Sequence, residues 1–143
     1  MKQGKYTIME EDMLASLQRR QPPYSHKIGI RFVAASPDRI LAEMQVEADM
    51  CNNMESLHGG AMMSLADTAG AMSTAVTLKE GQGTTTLESK SNFFAPIPLG
   101  DVAVAEAVPL HKGRTTFVWE TRISRKSDGR LAALITQTQL ILN

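Results

Sequence analysis

The chain has one cysteine, Cys51, so it can form no internal disulfide and no thiolate metal cluster. Its three histidines, His26, His58 and His111, lack the i, i+4 pairing of a helical metal site, and no metal is expected. No apolar run approaches the length of a membrane span. Met1 to Asp12 mixes lysine with acidic residues and contains no apolar signal region, so the expectation is a cytoplasmic protein. Fifteen basic and fifteen acidic residues cancel. That balance excludes a broad nucleic-acid-binding surface and is a poor recipe for a lone soluble monomer. At 143 residues the chain suffices for one domain with a real core, but not for two full-sized ones.

Against these absences one charge stands out. Asp67 is the only charged residue between Glu55 and Lys79, within a helix-like stretch opened by His58-Gly59-Gly60. On a helical wheel Met62, Leu65, Ala69, Met72 and Val76 form a core stripe. Ser64, Asp67, Thr68, Ala71 and Thr74 form the opposite face. An ordinary solvated face would carry Lys, Glu, Gln or Arg, and this one has none. Such a face suits a substrate, a second chain, or both. The plain alternative makes Asp67 the N-cap of a helix that begins late.

Around this helix the chain reads as strands. Glu10 to Arg20 is a short helix with Met13, Leu14 and Leu17 on one face, stopped at Gln21-Pro22-Pro23. Lys27 to Ala35 and Arg39 to Val46 read as strands joined by a turn at Ser36-Pro37-Asp38. A polar loop, Glu47 to Ser56, leads into the helix. Four more strands are expected: Thr84 to Phe94, Asp101 to Leu110, Arg114 to Arg125 and Arg130 to Leu142. His111-Lys112-Gly113 and Lys126-Ser127-Asp128-Gly129 make short hairpin connections. The layout is α+β: one long helix against one strongly curved antiparallel sheet that covers one stripe of it. A second copy of the chain is the simplest cover for the Asp67 face.

Two glycines at a helix start allow close approach to the backbone, where the first N–H groups lack internal partners and the helix dipole is positive. Such a site can polarise a carbonyl and hold an oxyanion; on the two glycines alone, a plain tight turn into the helix is the stronger reading. No serine or cysteine lies in a nucleophile-elbow context, which leaves Asp67 as attacking group or as base for water. Hydrolysis of an activated acyl compound fits.

The pattern Asn52-x5-His58-Gly59-Gly60-x6-Asp67 resembles the hotdog-fold acyl-CoA thioesterases, in particular the PaaI-like phenylacetate-pathway group of the 4-hydroxybenzoyl-CoA thioesterase superfamily. The resemblance runs from Tyr24 to the C-terminus and takes in Leu65-Ala66-Asp67-Thr68-Ala69, Asn92-Phe93-Phe94 with Pro96, Gly113-Arg114 and Asp128-Gly129-Arg130-Leu131. It implies residues 24–143 as a hotdog domain with residues 1–23 as an N-terminal helical extension. It implies hydrolysis of an acyl- or aryl-CoA without a cofactor. Asp67 would be nucleophile or general base, the Gly59 N–H would polarise the carbonyl, and Asn52 would orient the carbonyl or the water. Thr86 would assist that water, and His58 would shape the turn. Gly60, Phe93, Phe94, Ala95, Pro96, His111, Lys112, Gly113, Arg114 and Thr115 would lie along the substrate and its coenzyme A portion, with Lys90 a weaker candidate. The assembly implied is a homo-oligomer, a dimer or a dimer of dimers, whose active sites take Asn52 and Asp67 from opposite subunits. Two positions depart from the pattern: Glu55 where relatives often have glycine, and Ala95 where many have a basic residue. The competing readings are a non-catalytic acyl-CoA-binding dimer acting as sensor or carrier, and hydratase chemistry, which needs a His–acid pair not apparent here.

Overall fold

The computed structural model describes the backbone of residues 3–143 and the side chains of residues 12–143. Of the segment Met1 to Asp12, residues 1–2 lie outside the described residues and residues 3–11 are described in backbone only. Helix α1 (Gln3–Arg20) begins earlier than the expected Glu10 and packs over the first strand. Leu17 is fully buried, with Met13 and Leu14 partly buried beside it. Gln18 donates to the Phe32 carbonyl at 3.3 Å, and Arg20 donates to the Ala75 carbonyl at 3.3 Å.

The expected strand from Lys27 starts later than its composition suggested. Pro23–Lys27 forms a single helical turn, α2, because Pro23 at its start has a preset φ and needs no donor. Gly29, at φ +77°, then turns the chain into β1 (Ile30–Ser36). β2 (Arg39–Gln45) returns antiparallel, and a 3₁₀ turn at Ala48–Met50 leads toward α3 (Gly59–Ala75). The remaining strands are β3 (Gly83–Phe93), β4 (Val102–Lys112), β5 (Thr116–Arg125) and β6 (Leu131–Leu142). β4 runs on through His111 and Lys112, which had been expected in the hairpin turn. A bulge at Leu110 follows Pro109, which has no N–H to give, and the strand resumes pairing at His111 opposite Val118.

All pairings are antiparallel, in the order β1-β2-β4-β5-β6-β3. The crossing from β2 to β3 is made through α3, which lies in the concave face of the curved sheet and leaves β3 on the outer edge. The core fills that concavity: Ile40, Met44, Leu65, Trp119, Ile123 and Ile135 are all buried to 1 % exposure or less.

The sheet wraps the helix more widely than one stripe, touching it from β2 through β6. Thr68 and Thr74, placed by the wheel on the outer face, are buried. Thr74 donates to the Gly70 carbonyl at 3.0 Å and accepts the Trp119 indole N–H at 2.8 Å, so its hydroxyl satisfies a core tryptophan. On the outer face only Ser64, Asp67 and Ala71 stay half-open, with Met63 exposed beside them. None of the helices described is long and apolar enough to cross a membrane.

Candidate active site

The start of α3 is built around His58. Its backbone is extended, and its Nδ1 accepts the Gly60 N–H at 2.9 Å. The His58 carbonyl takes the N–H groups of Ala61 and Met62. Gly59 is thus the one first-turn residue whose N–H finds no partner among the described residues. Of the two glycines, the geometry singles out Gly59 as the free donor at the positive end of the helix.

The preceding loop holds that donor in place. Asn52 Oδ1 accepts from the N–H groups of Met54 (2.9 Å) and Ser56 (3.3 Å), while Asn52 N–H donates to the Ser56 carbonyl at 2.8 Å. With its oxygen committed to the loop, Asn52 keeps the Nδ2 amide group for a further contact. Glu55 sits at φ +53°, the left-handed region that favours glycine, so a glycine would fit this backbone with less strain. Leu57 N–H bonds to the Ile97 carbonyl and His58 N–H to the Met50 carbonyl, which stitches both sides of the loop down.

Asn52 and Gly59 open onto a cavity of about 340 Å³ lined also by Met54, Met62, Phe93, Phe94, Ala95 and Pro96. The Phe93 ring lies against Gly59 so closely that a Cβ there would come within 3.3 Å of it. Phe93 and Phe94 are about half exposed, whereas Ala95 is buried. Below Pro96, Arg125 donates to its carbonyl at 3.4 Å and clasps Asp128 at 2.6 and 3.0 Å. That bonding holds the Asp128 carboxyl below the usual range.

Asp67 lies two turns further on and is half-buried. Thr86 Oγ1 donates to its Oδ1 at 2.7 Å. Thr86 reaches it because β3 bulges at Leu87: Leu87 and Glu88 are both exposed, and Thr84, Thr86, Ser89 and Ser91 all turn toward the helix. Behind Thr86, the fully buried Gln139 donates from Nε2 to its hydroxyl at 2.7 Å and accepts from Thr84 at 3.0 Å. Gln137, also fully buried, donates to the Asp67 carbonyl at 3.4 Å. Gly70 makes room for it, since a Cβ there would meet the Gln137 amide at 2.5 Å. Sequence reasoning missed both glutamines, although the alternation Ile135, Gln137, Gln139 along β6 puts them on the core face.

Within one chain the two halves stay apart. Asp67 opens with Gly60, Met63, Ser64 and Ser89 onto a groove separate from the Gly59 cavity. Eight residues of helix separate it from Gly59, about 12 Å along the axis. The 111–115 segment is further off still. Lys112 bonds to the Pro37 carbonyl, lies 3.6 Å from Asp38 and sits over the Trp119 ring, toward the C-terminal end of α3. His111, Arg114 and Thr115 are exposed there, and Gly113 N–H closes the turn onto the Thr116 carbonyl. Lys90 bonds to Asn92 on the same strand. No group of three or more His, Cys, Asp or Glu stands close enough among the described residues to hold a metal ion.

Residues 54–132, more than half of the chain, match the thioesterase superfamily. The human acyl-coenzyme A thioesterase 13 is 29% identical, over 73% of this chain and 74% of its own. A mutant thioesterase from Pseudomonas aeruginosa superposes with a TM-score of 0.84 at 28% identity, covering 90% of this chain and 93% of that one. The Escherichia coli PaaI protein of the phenylacetic acid degradation operon gives 0.81 at 25% identity, covering 91% of each chain. Fold, family match and relatives agree: this chain belongs to the thioesterase superfamily and is a PaaI-like hotdog thioesterase, an enzyme of thioester hydrolysis.

Proposed function

We propose that the substrate is an acyl- or aryl-CoA, hydrolysed to the free acid and coenzyme A at sites shared between two copies of the chain. The observation that carries this reading is the single carboxylate of the helix, with one oxygen fixed by Thr86 at 2.7 Å and the other unbonded within the described chain. The free oxygen either attacks the thioester carbonyl or takes a proton from water that does so. In the second case hydroxide adds to the carbonyl carbon as Asp67 gains the proton. The oxyanion then draws on the Gly59 N–H and the helix dipole behind it, with the Asn52 amide as a further donor. Collapse breaks the C–S bond, and the departing thiolate takes the proton back from Asp67. In the first case an anhydride with Asp67 forms as the thiolate leaves, and water then hydrolyses it.

The distance between Asp67 and Gly59 in one chain supports a two-fold arrangement in which each supplies its part to the partner's half. β3 lies at the sheet edge and carries Thr86 and Phe93, so pairing at that edge would bring both halves together. The Phe93, Phe94 and Met62 lining suits an apolar acyl or aryl group.

Thiol release from phenylacetyl-, hydroxybenzoyl-, short-, medium- and long-chain acyl-CoA tests the substrate class; binding of all without release from any would favour a carrier. D67N should abolish release and spare binding. Mixing D67N with N52A after unfolding and refolding should restore about a quarter of wild-type activity, because half the dimers are mixed and each has one intact site. No restoration would place Asp67 and Asn52 in one subunit's site.

A further inference from the structure

We infer that Gln139 is a positioning residue for hydrolysis: it holds the Thr86 hydroxyl so that its only proton is directed to Asp67. This rests on the reading of Asp67 as the catalytic carboxylate. Gln139 has no solvent exposure, and a buried amide is tolerated only where its polar atoms are satisfied. Here they are, through Nε2 to Thr86 at 2.7 Å and Thr84 to Oε1 at 3.0 Å.

The direction of the chain follows from counting protons. An ionised carboxylate can only accept, so Thr86 must donate to Asp67. The Thr86 oxygen then needs a donor on its other side, and the Gln139 amide nitrogen is the group within reach. With the amide turned over, its carbonyl oxygen would face Thr86 and compete with Asp67 for the same proton. Thr84 accommodates the productive sense because its own proton is shared between Gln139 Oε1 and the Leu140 carbonyl. The bulge at Leu87 and the register Thr86 opposite Gln139 place the two side chains across one strand pair. Gln139 touches no open cavity, so it acts on turnover through Thr86 and not on substrate binding.

A double-mutant cycle separates this role from mere packing. Q139M keeps the volume and removes the donor; kcat should fall about tenfold, the worth of one hydrogen bond, with KM within about twofold. In a T86V background the same substitution should cost nothing further, and in T86S the full loss should return. Should Q139M not fold, Q139N repeats the cycle, since it keeps an amide one methylene too short to reach Thr86. Equal losses in the wild-type and T86V backgrounds would overturn the inference, as would an unchanged kcat in Q139M. D67N run alongside distinguishes the two levels. If D67N keeps turnover, the reading of Asp67 falls; if D67N is inactive and Q139M is not impaired, only the role of Gln139 falls.

Discussion

Replacing Gly70 by alanine sets two well-measured effects against each other. In a helix interior the change ordinarily stabilises by about 1 kcal/mol, because glycine loses more backbone freedom on folding. Gly70, however, faces β6, and a Cβ would lie 2.5 Å from Gln137 Nε2 and 2.6 Å from its Cδ. The amide cannot retreat: Gln137 is fully buried, with Trp119 and Ser89 opposite it on the two flanking strands. Overpacking of this kind costs about 1–3 kcal/mol, and displacing the Gln137 bond to the Asp67 carbonyl about 1 kcal/mol more. The clash wins, and G70A should lose about 2 kcal/mol, a melting temperature lower by about 7 °C for a chain of this size. Urea and thermal unfolding of G70A, Q137A and the double variant measure it. In the Q137A background the added methyl meets open space, and the ordinary gain of about 1 kcal/mol should reappear. A G70A protein that melts at or above the wild type would refute the close packing of α3 on Gln137.

Two further outcomes bear on the same region. H58A should cost about 1 kcal/mol in urea unfolding through loss of the cap on Gly60, while thiol release falls much less than the hundredfold expected from removing a general acid or base. A loss of hundredfold or more in H58A would make His58 a proton carrier instead of a cap. E55G should stabilise by about 0.5 kcal/mol, since relief of left-handed strain outweighs the added backbone freedom of glycine. A lower melting temperature in E55G would mean that the Glu55 side chain makes a stabilising contact beyond the loop bonds described.

Periodicity and spacing revealed the elements that depend on neighbours in sequence. Of the core stripe, Met62, Leu65, Ala69 and Met72 are buried and Val76 is partly so, and the break after Arg20 and the antiparallel run after α3 are both present. The errors occur where tertiary contact overrides a local pattern. A wheel cannot tell that Thr74 lies beneath Trp119, because the indole that buries it comes 45 residues later. Composition could not show that Pro23 begins a helical turn, because proline reads equally as a stop for α1 and as a first residue for α2.

The same distinction separates the parts of the candidate site. His58-Gly59-Gly60 is legible because cap, free N–H and close approach all arise within three residues. The Asp67–Thr86–Gln139 chain is not, since it depends on a one-residue bulge in β3. Without the bulge, Thr86 and Ser89, three apart, would point to opposite faces of the sheet. With it, both turn inward, Thr86 meets Asp67, and Ser89 lines the same groove. A strand read as a strict alternation therefore places one of these two residues on the wrong side, and nothing in Thr84-Thr85-Thr86-Leu87-Glu88-Ser89 marks where the slip occurs. What does mark it is the partner strand. Gln139, buried on β6, bonds through both ends of its amide to Thr84 and Thr86 of β3, whereas Gln137 beside it bonds to the Asp67 carbonyl of the helix and its Oε1 has no partner among the described residues. The requirement that the buried Gln139 amide be satisfied fixes Thr84 and Thr86 as inward-facing residues of β3, so the support for Asp67 is encoded in β6 as much as in the strand that touches it.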